Sequence, residues 1–462
     1  MCAAEARRVA VVGGGWAGCA SAVGLARAGC TVTLFEAART LGGRARAVEV
    51  NGVTVDNGQH ILLGAYRDTL RLLRQVGIDP AAAFLRLPLQ MRYPAGSGGM
   101  DFVAPRLPAP WHIAVALLRA TGLERADKMA LARFTTSARW MQWRLNEDCS
   151  VAELLERFDQ TARLVRLMWE PLCLAALNTP VERASANVFL AVLRDSLGAE
   201  RAASDMLLPR IDLGALFPAA AARFLSSRGS EVRLGARIEQ LAQDGDAWLL
   251  DGEPYDAVVL ATPPQHSARL LGGLPDTGEL IAQLNAFSYE PITTCYLQYD
   301  QQQRLPLPFY ALVDAAEGHW GQFVFDRGQL DAGHAGMLSV VVSASDQAAA
   351  LDQDTLAAQI ARQLADALRI PALAEPRWSR VITEKRATFA CVPNLQRPDN
   401  ATCLPGLALA GDYTASEYPA TLESAVRSAI GATAAILSRR TLLRENRSLS
   451  QSDGDHDSPS VQ

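Results

Sequence analysis

Residues 9–36 carry the tightest constraint in the chain. Val9-Ala10-Val11-Val12 is a short apolar run of the kind a buried parallel strand shows, and Gly13-x-Gly15-x-x-Gly18 follows at once. The alanine-rich stretch Cys19 to Ala28 reads as a helix closed by Gly29, and a second strand, Thr31 to Phe35, ends at Glu36. The acid falls 18 positions after the last glycine, close to the spacing of about 20 that sets a carboxylate on a ribose diol. The three glycines differ in role. Gly13 permits the tight turn, Gly15 lets backbone approach a pyrophosphate, and Gly18 lets the helix pack close to the sheet. The helix N-terminus then offers unpaired N–H groups and a positive dipole end to the phosphates. Strand, turn, helix, strand and acid in register predict a dinucleotide-binding α/β unit.

The same region could be mistaken for a leader or membrane anchor, because Val9 to Ala26 is 18 residues without a charge behind Arg7 and Arg8. Five of those residues are glycine, and each interior glycine costs an apolar helix roughly 1 kcal/mol relative to alanine, so the dinucleotide turn explains the run better. The chain has 462 residues, about three times the ~150-residue prior for one domain, which implies at least two domains. Acidic residues outnumber basic ones, 49 to 44, which argues against a nucleic-acid partner. Only Lys128 and Lys385 are lysine, and neither follows the glycine spacing of a Walker loop. No pair of the eight cysteines has the spacing of a zinc or redox motif, so reduced thiols, no metal and a cytoplasmic location are expected.

After Glu36 the chain reads Ala37-Ala38-Arg39-Thr40-Leu41-Gly42-Gly43-Arg44, and near the other end Gly411-Asp412-Tyr413 precedes a long helix that is expected to start at Tyr418-Pro419, with the proline in its first turn. These stretches resemble the FAD-dependent amine oxidase and phytoene desaturase superfamily. The resemblance implies a Rossmann-like FAD-binding domain of the glutathione-reductase type, interleaved with a substrate domain of mixed sheet and helices. It implies that Gly43 and Arg44 lie over the FAD pyrophosphate, that the backbone of Val232 meets the adenine, and that Asp412 accepts from the ribityl chain beside Gly411. The N-terminal end of that helix, with Leu422 among its cofactor-binding residues, would point at the pyrimidine edge of the flavin. No cysteine falls between Gly411 and Leu422, so the FAD is expected to be non-covalent. The FAD-binding domain is expected in three parts, 7–84, 211–265 and 381–440, with a helical insertion at 85–210 and a sheet part at 266–380 forming the substrate domain. The polar stretch 444–462 is expected to be a disordered tail.

Three stretches narrow the likeness: Gly14-Gly15-Trp16-Ala17-Gly18, Asp56-Asn57-Gly58-Gln59-His60 with Leu63 to Tyr66, and Gly411 to Ser416 through Leu422 to Ala425. They are similar to one branch of the superfamily, the squalene-associated FAD-dependent desaturases or hydroxysqualene dehydroxylases, and so is Glu384 to Ala390. That branch implies reductive loss of an allylic hydroxyl, with a long-chain isoprenoid substrate and an external reductant for the FAD. Such chemistry needs a proton for the departing oxygen, and His60 and Asp56 are the candidate donors, since an imidazole with a pKa near 6.5 suits acid work. Their alternative is structural, with Asp56 capping the loop and His60 packing against the flavin. Glu423 and Tyr413 are weaker candidates, and Arg386 either lines the pocket or pairs with Glu384.

Leu107 to Leu118 is apolar, uncharged and flanked by Arg106 and Arg119, so it is either a core helix or a peripheral contact with a membrane face. Two competing functions share the fold: a carotenoid-type desaturase running hydride the other way, and a prenyl-binding protein of the Rab-escort or GDP-dissociation-inhibitor kind without redox chemistry.

Overall fold

The computed structural model describes residues 7–313 and 316–452. Five parallel strands form the central sheet, in the order Glu231–Leu234, Thr31–Glu36, Arg8–Val12, Ala257–Leu260 and Leu407–Leu409. Strands from both ends and the middle of the chain therefore share one sheet, and the segments between them are inserted as the other sheets and helices. Successive side chains of a strand point to opposite faces, and Arg8–Val12 shows why the run must be apolar on both. Val9 and Val11 join the core under the helix Trp16–Arg27, while Ala10 and Val12 join the core on the other face with Phe35 and Tyr255. Gly24, inside that helix, lets the C-terminal helix Leu422–Ser452 cross close by, since a Cβ there would stand 3.0 Å from the Thr433 hydroxyl. The rest of the expected polar tail, 453–462, lies outside the described residues.

A second five-stranded sheet is antiparallel, in the order Phe309–Ala311, Phe323–Asp326, Met337–Ser343, Tyr289–Gln298 and Trp378–Phe389. The helix Gln353–Leu368 covers it, started by the Asp352 side chain, which accepts from the Thr355 amide at 2.8 Å. The strand Trp378–Phe389 runs across residue 380, where the sequence suggests that this sheet ends, and stays paired with Tyr289–Gln298 as far as Phe389. Its alternation is blurred by charge (Glu384, Lys385, Arg386), because one stretch of it borders a cavity instead of a core. Helices between 111 and 204 pack below, and the strand Met206–Pro209 returns to pair with Leu62–Leu63 and Phe84–Leu87.

Candidate active site

A cavity of about 690 Å³ runs from the C-terminal ends of the parallel strands into the substrate domain. Gly13 sits at its head with φ +109°, and a Cβ there would stand 2.5 Å from the Ala261 carbonyl oxygen. Gly15 begins the helix Trp16–Arg27, whose first turn has no side-chain cap and no acid. The second glycine loop lies directly across from it: the Gly42 amide donates to the Gly14 carbonyl at 2.8 Å, and a Cβ on Gly43 would stand 3.1 Å from Gly15 Cα. Gly18 is not a wall residue; a Cβ there would overlap the Gly13 carbonyl, so it sets the distance between helix and turn. An uncapped helix end faced by two side-chain-free loops fits a pyrophosphate.

Glu36 lines the same end, its carboxylate held by the Gly14 amide at 2.6 Å and the Ala38 amide at 2.7 Å. Fixed from the backbone side, it keeps lone pairs for a ribose diol. Val232 does not reach this wall: it is paired with Leu34 on the sheet's edge strand, and Ala236, Arg237 and Ile238 line the cavity instead. The displacement follows from the chain path, since the Ala236 amide is tied to the Glu36 carbonyl at 2.9 Å and turns the backbone towards the cavity only after the strand ends.

Gly411, Asp412 and Leu422 come from the C-terminal strand and helix to the middle of the cavity. Asp412 and Arg44 meet there at 2.6 Å, and Arg44 also donates to the Ala387 carbonyl at 2.8 Å. Burial works against the Arg44 charge, but the contact with Asp412, joined by Tyr289 and Glu384, holds the guanidinium above its ordinary range. The two residues, expected over different parts of the cofactor, thus form one ion pair on the cavity wall. Arg397, which no sequence motif marks, fixes this turn: it donates to the carbonyls of Asp412, Tyr413, Ser416 and Tyr418 and lies 4.8 Å over the Phe389 ring.

The two proton-donor candidates part company. His60 lines the cavity, and its Nδ1 lies 2.8 Å from the Gly58 carbonyl. A carbonyl can only accept, so Nδ1 carries the hydrogen and the other ring nitrogen holds the lone pair of a neutral imidazole. Burial lowers the His60 pKa below its usual 6.5, with the Gly58 contact opposing, so the resting group is neutral at pH 7. Asp56 is not on the wall. It is 1% exposed at the end of the strand Val53–Asp56, accepts from the Leu213 amide at 2.7 Å and faces Arg327 at 3.8 Å. Burial raises its pKa to about 6, against the pull of Arg327 and the Leu213 amide. Its place is structural: Arg327, itself 2% exposed, also grips Gln59 at 2.8 Å and so holds the loop that carries His60.

Glu423 is fully engaged, accepting from the amides of Asp68 and Thr69, the Thr69 hydroxyl and Arg427. Tyr413 is buried with its ring against Gly411 and its hydroxyl 3.4 Å from Ser267. Arg386 lines a smaller neighbouring pocket and lies 5.7 Å over the Tyr289 ring; only its backbone amide reaches Glu384. One polar pair on the cavity wall has no sequence signal at all: the Tyr418 hydroxyl donates to Asp195, which Arg194 braces at 2.8 Å. Beyond these groups the wall turns apolar, with Leu89, Met91, Phe102, Met168, Leu172 and Phe325.

A phosphate cradle, a ribose carboxylate and an apolar chamber in one cavity define an FAD-dependent oxidoreductase. The chain belongs to the flavin containing amine oxidoreductase family, which matches residues 16–437, and FAD is its cofactor. It is 31% identical over 447 residues to the hydroxysqualene dehydroxylase of Rhodopseudomonas palustris, covering 91% of this chain and 96% of that one. It is 24% identical over 473 residues to the 15-cis-phytoene desaturase of Synechococcus elongatus, covering 96% of this chain and 98% of that one. Among solved structures it is similar to the cyclohexylamine oxidase of Brevibacterium oxydans, at TM-score 0.67 and 16% identity over 95% of this chain and all of the other. The non-redox alternative called for loss of the first glycines and Glu36; all stand at the cavity head or directly beneath it.

Proposed function

We propose that the protein removes the allylic hydroxyl of hydroxysqualene to give squalene. The likeness over nearly the whole chain to a hydroxysqualene dehydroxylase carries this reading, and the apolar chamber beside the flavin cradle agrees with a long hydrocarbon substrate. Reduced FAD, when bound, supplies the hydride, and an external reductant restores it each turnover. In this reading His60 gives a proton to the departing oxygen: the C–O bond breaks, the hydroxyl leaves as water, and the allylic carbon takes the hydride. A desolvated imidazolium is a stronger acid than one in water, which favours that transfer. The walls at Met91, Phe102 and Met168 keep out bulk water that would recapture the allylic cation. Glu36 and the glycine loops hold the cofactor, and Arg327 holds Gln59 and the His60 loop in place.

Anaerobic incubation of the reduced holoenzyme with hydroxysqualene, followed by hexane extraction and chromatography, tests the reaction. Squalene is the expected product. Recovery of unchanged hydroxysqualene, together with conversion of phytoene by the oxidised holoenzyme, would instead establish the desaturase reading suggested by the 24% relative.

A further inference from the structure

Large apolar side chains that stand in solvent are the exception in a folded protein when they cluster. Five of the seven exposed large hydrophobic residues among those described fall between 107 and 140: Leu107, Trp111, Leu118, Met129 and Trp140. Trp111 and Leu118, 63% and 74% exposed, are seven positions apart on the helix Trp111–Arg119, and Met129 and Trp140, 64% and 88% exposed, are eleven apart on the helix Arg125–Trp140. At 3.6 residues per turn, both spacings put the pair on one face. The opposite faces, with Ile113 and Ala116 on one helix and Leu131 and Phe134 on the other, enter a common core. The segment Leu107 to Leu118 is therefore neither wholly core nor wholly surface, and a second helix that the sequence did not single out carries an exposed apolar pair of its own.

Charge around this face runs against the charge of the chain. Between 106 and 144 there are seven basic residues and two acidic ones, Glu124 and the buried Asp127, whereas the whole protein carries −5. Arg106, Arg119, Arg125, Arg133, Arg139 and Arg144 are exposed and in no ion pair among the described residues. Exposed tryptophans on a stretch rich in exposed arginines outside any described ion pair match the two layers of an anionic bilayer surface, apolar below the headgroups and negative at them. The face is also joined to the cavity. The Asp101 and Thr121 backbones exchange two hydrogen bonds just past the helix Trp111–Arg119, and the next residue, Phe102, paired with Met91, lines the apolar chamber. No helix among the described residues is long and apolar enough to cross a membrane.

We propose that the helices Trp111–Arg119 and Arg125–Trp140 form a docking face for an anionic phospholipid bilayer, set against the apolar end of the cavity. This deepens the reading above and rests on it for the lipid nature of the substrate.

Flotation of the flavin-loaded holoenzyme with vesicles of phosphatidylcholine alone, or with about a third phosphatidylglycerol, tests the face without any substrate. The holoenzyme should float with the anionic vesicles and release at high salt. Arg125→Glu with Arg133→Glu should weaken that binding about tenfold or more, because each basic residue near the surface contributes on that scale. Trp111→Glu with Trp140→Glu should abolish it, with unchanged flavin absorbance as the check on folding. Equal flotation of the folded variants, or no flotation of the wild type on either vesicle, overturns the proposal. So does a wild-type dimer that the tryptophan variant splits into monomers without any loss of vesicle binding, since the face would then be covered by a second copy. A wrong substrate leaves the flotation result standing; conversely, turnover of detergent-dispersed hydroxysqualene by the tryptophan variant keeps the reaction whether or not the face binds lipid.

Discussion

Gly18→Ala is expected to purify as colourless protein. The added Cβ meets the Gly13 carbonyl, which is backbone held by the sheet and cannot swing aside as a side chain would. Overpacking of a close contact typically costs about 1–3 kcal/mol, and here the strain falls on the turn that receives the pyrophosphate, so flavin affinity should drop ~100-fold. Glu36→Ala offers a graded comparison. It removes a carboxylate anchored by the Gly14 and Ala38 amides, and a charged hydrogen bond worth roughly 1.5–3 kcal/mol translates into a tenfold to hundredfold loss. Dialysis followed by flavin absorbance distinguishes the cases. If Gly18→Ala keeps its flavin through dialysis, the turn is not the pyrophosphate seat.

His60→Ala is expected to slow substrate-driven reoxidation of the reduced enzyme by ~10²–10⁴, the usual span for a general acid. The pH dependence is the sharper readout. Burial holds the His60 pKa below 6.5, so at pH 7 the acid form is the minority, and it grows as pH falls. The rate should therefore rise about tenfold for each unit from pH 8 towards that pKa and then level off. His60→Ala should flatten this profile, whereas Asp56→Asn should leave its slope in place, because Asp56 does not reach the cavity wall. Stopped-flow absorbance under argon measures both. A wild-type profile flat across this range would remove His60 from proton delivery.

The parts of this molecule legible in the sequence are those where the backbone dictates the residue. Gly13 must be glycine because its φ is +109°, Gly18 because a carbonyl stands where its Cβ would be, and such demands are met by residues a few positions apart. The unbroken buried run Val9 to Val12 is local in the same way. What stayed hidden depends on partners far along the chain. Asp56 looks like a loop acid until Arg327, just past the second sheet's strand Phe323–Asp326, faces it, and His60 looks like an ordinary histidine until burial lowers its pKa. The Tyr418–Asp195 pair spans 223 positions, and the Arg397 clamp acts on backbone carbonyls, which leave no mark on the residues it holds. Trp140 ends a helix with no sequence flag, and only the packing of that helix shows that its indole is exposed among the described residues.

The proposed reaction turns on the direction of hydride flow, which a single anaerobic turnover reveals. Photoreduced holoenzyme, free of excess reductant, is mixed with hydroxysqualene in deuterated buffer, and flavin absorbance and extracted product are followed together. The flavin should reoxidise, one squalene should form per flavin reoxidised, and deuterium should sit at the carbon that bore the hydroxyl. A flavin that stays reduced beside unchanged hydroxysqualene, while oxidised holoenzyme bleaches on mixing with phytoene, would contradict that direction.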